Sequence, residues 1–171
     1  MQEIVSFPPL ARHDARLLIL GSMPGKASLL AGQYYAHPRN LFWPIVGNLI
    51  GASPQLSYDE RTAILVANGV ALWDVLKSCR RNGSLDASID KASMVVNDFS
   101  GFFNDHPAIE RIFFNGATAE LVFRRHVLPT LTQKRWELLR LPSTSPANAA
   151  RTFQQKLAEW QVILQDPAAV C

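Results

Sequence analysis

Cysteine is scarce in this chain. Of 171 residues only Cys79 and Cys171 carry a thiol, too few and too far apart for a disulfide framework or a four-cysteine metal or iron–sulfur site, and no metal or cofactor is expected. No apolar run approaches the length that crosses a bilayer. The opening MQEIVSFPPLARHD has an early glutamate, prolines and no long apolar centre, unlike a secretory leader, so a cytoplasmic protein is expected. Repeats and low-complexity segments are missing too. Charge of one sign is in only slight excess: a net +3 mildly favours a polyanionic partner but selects no function, since many proteins without such partners are as basic. The most telling shortage is local. From Gly21 to Trp43, GSMPGKASLLAGQYYAHPRNLFW contains no carboxylate.

What is present suits a single globular domain, taken as residues 1–171. An apolar fraction of 48% against 18% charged residues is that of a folded protein, and the length serves one continuous core better than two. Four short apolar runs, Leu17–Leu20, Val70–Trp73, Arg111–Phe114 and Glu137–Leu141, read as buried parallel strands. Helical stretches separate them. Asn40 to Ile50 carries Leu41, Phe42, Ile45, Val46 and Leu49 at helical spacing, with Asn40 as N-cap and Pro44 tolerated near the start. Ser57 with Glu60 forms a capping box for a second helix that stops at Gly69. KSCRRNGSLDAS reads as a polar loop, a short helix spans about Asn97 to Asn104, and another runs from Ala117 to Leu128, closed by Pro129. Phe153, Leu157, Trp160 and Leu164 make the apolar stripe of a C-terminal helix.

Strands alternating with helices predict an α/β fold of three layers, α/β/α, around a central four-stranded parallel sheet. Ligands of such sheets bind at the carboxyl ends of the strands. GSMPG, Asp74, the Asn115–Ala117 turn and PSTSPAN (Pro142 to Asn148) therefore share one edge. In GSMPG, glycine permits close backbone approach and Pro24 restrains the turn, for an anion or as a plain structural turn. Either Tyr34 or Tyr35 faces a ligand as a stacking ring, or both cover the sheet edge. Asn40 serves as a helix cap or as a ligand group. Asp74 caps a turn or meets a ligand, because a carboxylate ending an apolar strand is otherwise costly. His37 and Lys26 reach phosphate, or bond the loop and solvent respectively. Ser143, Thr144 and Ser145 offer hydroxyls on a proline-bracketed turn, but no histidine and acid pair with them, which argues against a serine nucleophile.

GSMPG, YYAHPRNLFW and LPSTSPAN, in that order with GVALWD and FFNGATA between them, resemble the uracil-DNA glycosylase superfamily, most closely its hypoxanthine-DNA glycosylase branch. The likeness spans Leu17 to Trp160. It implies a uracil-DNA glycosylase-like fold and hydrolysis of the N-glycosidic bond of a flipped, deaminated base, hypoxanthine foremost, with uracil and xanthine as alternatives. It makes Tyr35 the ring beneath that base and Asp74 the base-reading position, with Gly21, Ser22, Met23 and Asn115 around the base. Gly25, Lys26, His37, Ser143, Thr144, Ser145, Pro146, Ala147 and Asn148 become the DNA contacts. One position departs from the pattern. Many relatives place Asp or Asn where this chain has Met23, and a thioether cannot orient water; the resemblance hands that role to Asn40. The implied partner is DNA containing deaminated bases, met by a monomer at the nucleoid. Arg80, Arg81, Arg124, Arg125, Lys134 and Arg135 are further phosphate contacts or a solvated face. Two rival readings stay open: a non-catalytic reader of damaged DNA, and a nucleotide- or nucleoside-processing enzyme on a similar frame.

Overall fold

The computed structural model describes residues 1–133 and 135–166; Lys134 and Cys171, named above, lie outside the described residues. The chain runs β1 (Gln2–Val5), β2 (Leu17–Gly21), α1 (Lys26–Ala31), α2 (Phe42–Ile50), α3 (Tyr58–Ala67), β3 (Val70–Asp74), β4 (Leu76–Arg81), β5 (Val95–Val96), α4 (Phe99–Asp105), β6 (Arg111–Asn115), α5 (Ala117–Val122), β7 (Glu137–Leu141) and α6 (Phe153–Trp160), with short 3-10 and π turns between. The four apolar runs form one parallel sheet in the order β3-β2-β6-β7.

Alternation along these strands divides the core. Leu18, Leu20, Ala71, Trp73, Ile112 and Phe114 face one layer, with Phe99, Phe102, Val122 and Phe123. Ile19, Val70, Leu72, Phe113 and Leu141 face the other, with Phe42, Ile45, Leu65 and Trp160. Both faces are therefore covered, as parallel strands require. Each fully buried side chain of this kind contributes about 1.5–3 kcal/mol. The second helix starts as expected, with both bonds of the Ser57–Glu60 capping box in place.

Several expectations need correction. The segment expected as a polar loop from Lys77 begins, as far as Arg81, as strand β4, which pairs antiparallel with β1 and β5 in a separate small sheet. Its inward positions include Cys79 and Arg81, and a buried arginine hides the alternation that marks a strand. A short helix, α1, follows GSMPG where none was expected. Helix α2 begins at Phe42 rather than Asn40, its N-cap being Leu41. The helix expected to run to Leu128 ends at Val122, and the chain continues through a π turn and a 3-10 turn. The C-terminal stripe stops at Trp160: the chain tightens into a 3-10 turn, burying Ile163 and leaving Leu164 exposed, because a three-residue period moves the inward face by one position.

Candidate active site

At the carboxyl edge of the large sheet, β2 ends in Gly21, β3 in Asp74, β6 in Asn115 and β7 in Leu141, just before the PSTSPAN loop. Adjacent strands leave β2 on opposite sides, so the loops part there and open a cleft. Its volume is about 730 Å³, within the usual range for a small-molecule site. All the site residues expected from the sequence line it: Gly21, Ser22, Met23, Gly25, Lys26, Tyr35, His37, Asn40, Asp74, Asn115 and Ser143 to Asn148.

The two tyrosines have different tasks. Tyr34 is buried, its hydroxyl donates to Pro8 O at 2.9 Å, its carbonyl accepts from Trp43 Nε1 at 2.9 Å and its amide donates to the Tyr58 hydroxyl at 3.1 Å. One residue on, the Ala36 amide donates to the hydroxyl of buried Ser28 at 3.1 Å. Held on both sides, Tyr35 takes a left-handed backbone, φ 54°, a strain that persists only where neighbours over-determine it. Its ring stacks on Phe42 at 4.2 Å between centroids. Its hydroxyl is sealed from solvent without a hydrogen bond of good geometry. The Asn115 amide lies near enough to favour the phenolate slightly, but burial and Asp74 together push the phenol's pKa well up.

Asn40 enters the cleft from the same loop. Its Oδ1 accepts from the Phe42 amide at 2.9 Å, so the expected capping is real, though made to N1 of α2 from outside the helix. Only one of two lone pairs is used, and the carboxamide is thereby fixed. The Nδ2 group makes no hydrogen bond among the described residues.

The floor is made where Gly21 meets Asp74. A Cβ on Gly21 would collide with Asp74 Oδ1 and reach 3.0 Å from the Tyr35 hydroxyl, so only glycine fits. Asp74 is 3% exposed, and its Oδ2 is sealed without a partner. Burial first, then the charge of Asp86, raise its pKa to about 7; Arg81 opposes them. Above the floor, GSMPG is anchored by its carbonyls. Gly21 O accepts from Val75 N at 2.8 Å and Ser22 O from Leu76 N at 3.1 Å, while Arg81 Nη2 donates to Pro24 O. The amides of Met23 and Gly25 form no hydrogen bond among the described residues. Met23 itself is buried in the core beneath the cleft, so its side chain is chiefly packing.

One expected role is corrected by burial. Thr144 is fully buried: its amide donates to Asn115 Oδ1 and its hydroxyl accepts from Asn115 Nδ2, both at 2.9 Å, while its carbonyl takes the Leu41 amide at 3.0 Å. It clamps the loop instead of touching phosphate. Asn115, expected at the base, lines the cleft and gives one Nδ2–H and one Oδ1 lone pair to that clamp. Ser143 and Ser145 accept from backbone amides at 3.2 Å and keep their O–H for donation. Asn148 braces the loop through Ser143 O at 3.2 Å, and buried Lys156 donates to Asn148 O at 2.7 Å. His37 bonds within its loop, but as an acceptor: Nδ1 takes the Arg39 amide at 3.1 Å in place of donating to a carbonyl; Lys26 is exposed, and its backbone amide donates to Ser84 Oγ at 3.0 Å.

Asp86 was missed as a site residue, and Arg81, expected as a phosphate contact or a solvated residue, is instead buried. Asp86 accepts the Ser22 hydroxyl at 2.8 Å on both carboxylate oxygens, but in the sequence it sits in a polar stretch where a solvated carboxylate is the default. Of the other arginines named above, Arg80 pairs with Asp90 and Arg124 with Glu120, and none of Arg80, Arg81, Arg124, Arg125 and Arg135 lines the cleft.

The same architecture recurs in known proteins. The family model of the uracil DNA glycosylase superfamily matches residues 8–166. A protein named hypoxanthine DNA glycosylase from Methanosarcina acetivorans is 36% identical over 160 residues, 93% of this chain and 96% of that protein. Another of that name from Methanosarcina barkeri is 34% identical over 155 residues, 90% and 93% respectively. A solution NMR structure described as a candidate uracil DNA glycosylase from Methanosarcina acetivorans superposes with a TM-score of 0.73 at 31% identity, covering 96% of this chain and 100% of that one. With the match running through every strand of the large sheet and every loop of the cleft, the chain belongs to the uracil-DNA glycosylase superfamily.

Proposed function

We propose that the protein is a monofunctional DNA glycosylase that hydrolyses the N-glycosidic bond of a flipped hypoxanthine nucleotide and leaves an abasic site. The observation that carries this is the meeting of Tyr35, Asn40 and Asp74 in one cleft, in a chain whose relatives bear the name hypoxanthine DNA glycosylase. Extruding the nucleotide costs a few kcal/mol, less at a mismatch. The Tyr35 ring, backed by Phe42, supplies the plate for the base, a contact of about 1–3 kcal/mol in single-strand binding.

Breaking the bond loosens the sugar toward an oxocarbenium ion before water bonds to it, so the main task is to stabilise separated charge. Amides of the GSMPG loop face the departing purine anion as an oxyanion hole faces its oxygen. The free lone pair of Asn40 Oδ1 holds the attacking water. Gly25, Lys26, His37, Ser143, Ser145, Pro146, Ala147 and Asn148 form the rim that meets backbone and groove. As a single domain of 171 residues, the enzyme acts as a monomer on DNA in the cytoplasm. Among the described residues no helix is long and apolar enough to cross a membrane.

The test is incubation of pure protein with inosine-, uracil- and xanthine-containing oligonucleotides, followed by alkali cleavage at abasic sites. Release of hypoxanthine above the other two bases is expected. Tight lesion binding without release of any base would instead favour a damage reader, the reading that buried Met23 motivates. Borohydride trapping of a Lys26–DNA adduct would contradict the monofunctional assignment.

A further inference from the structure

Asp74 presents a problem that the water-directing loop does not solve. It is a carboxyl group at the bottom of a DNA-facing cleft, with one oxygen sealed from solvent and unpartnered, and it forms no salt bridge among the described residues. Among the described residues the cation turned toward it is Arg81 of β4, which spends Nε on Gly83 O and Nη2 on Pro24 O and keeps a buried Nη1 that makes no hydrogen bond to the carboxyl group. Facing it from the turn after β4 is a second carboxylate, Asp86, already occupied by the Ser22 hydroxyl. The phenols of Tyr34 and Tyr35 approach from the loop before α2, Asn115 ends β6, one strand beyond β2, and His37 and Lys26 line the wider cleft. None of these donates a hydrogen bond to the carboxyl group.

Resting on the reading that a flipped base fills the cleft, we propose that Asp74 acts as a neutral carboxyl group, donating a hydrogen bond to the departing base. An ionised carboxylate would set an acceptor oxygen against the O6 of hypoxanthine. A carboxylic acid whose open oxygen carries the proton instead donates to O6, while the other oxygen stays sealed. Donation to O6 strengthens as the C1′–N9 bond breaks with its electron pair on the purine, so the bond is worth more in the transition state than in the ground state. The water oxygen bonds C1′ and releases its proton to solvent, and the purine anion takes a proton from solvent on leaving. Asp74 ends as it began. Burial and the facing Asp86 charge hold its proton to about pH 7, as the role requires.

The experiment is single-turnover excision from an inosine oligonucleotide at saturating enzyme, from about pH 5.5 to 9, with wild type, Asp74→Asn and Asn40→Ala. The wild-type rate is expected to be level on the acid side and to fall by about tenfold per pH unit well above neutrality. Asp74→Asn, whose amide donates at every pH, is expected to lose that fall, while Asn40→Ala is slow throughout but keeps it. A level or rising wild-type profile with robust base release, or an unchanged alkaline fall in Asp74→Asn, overturns the proposal and leaves the glycosylase reading standing. Should Asp74→Asn fail to fold, the wild-type profile still decides. If wild type releases no base at any pH, the glycosylase reading fails, and the Asp74 proposal fails with it.

Discussion

Replacing Asn40 separates a structural role from a chemical one, because the structure prices each in a different measurement. The Oδ1 bond to the Phe42 amide is a local cap at 2.9 Å, and removing such a cap costs about 0.5–2 kcal/mol. In a chain of this length that lowers the melting temperature by roughly 2–4 °C for each kcal/mol, leaving Asn40→Ala folded at assay temperature. Loss of the group that orients water is a much larger effect on rate, on the order of two to three decades, by analogy with removal of one oxyanion donor. Asn40→Ser sharpens the contrast: a serine hydroxyl restores the cap but is too short to reach the same point in the cleft. Both variants should therefore excise hypoxanthine on the order of 100- to 1,000-fold more slowly in single-turnover assays, while only the alanine variant melts earlier. Thermal melts and quenched excision time courses on the same preparations measure the two effects. Wild-type-like excision by Asn40→Ala, or a rate loss that merely tracks the unfolded fraction, would refute the water assignment.

Gly21→Ala forces a Cβ against Asp74 Oδ1, so it should destabilise by about 1–3 kcal/mol and abolish base release, read by melting and excision together. Thr144→Val leaves the half-buried Asn115 amide without its acceptor, with an expected cost of about 1 kcal/mol in chemical denaturation. Lys26 is exposed at the cleft rim, so Lys26→Ala should weaken duplex binding and reduce the salt slope by about one while saturated excision is unchanged. The folded protein binds the Asp74 proton more tightly than the unfolded chain, whose value is near 3.8. Stability due to this residue is thus present below about pH 4 and is lost as pH rises toward 7. Asp74→Asn should accordingly outlast wild type at pH 8 by a few kcal/mol, with the gap closing in acid; equal stabilities across that range would contradict a buried, unpaired carboxyl group.

The large sheet was legible because its strands are buried on both faces. Leu17 to Leu20 and Ile112 to Phe114 are continuous apolar runs, a pattern that needs no partner to be recognised. The capping box at Ser57 and the stop at Gly69 are equally local. The small antiparallel sheet was not legible, since β4 buries Arg81 at a position where alternation calls for an apolar residue. The motif loops were found, but the partition of work inside them was not. Thr144 and Asn115 look like ligand groups in the sequence and turn out to bond each other across 29 residues.

Sequence alone determined the four strands of the large sheet, the sheet edge at which GSMPG, Asp74 and PSTSPAN meet, and the residues present there, because periodicity and turn chemistry are properties of neighbouring residues. Tertiary structure decided which side chains remain available to a ligand. It buried Tyr34 and presented Tyr35, tied Asn115 to Thr144, and placed Asp86 and Arg81 around Asp74. Hydrogen-bond satisfaction and desolvation depend on groups distant in the chain that fold into contact, and those contacts set whether a carboxyl group at the cleft floor keeps its proton.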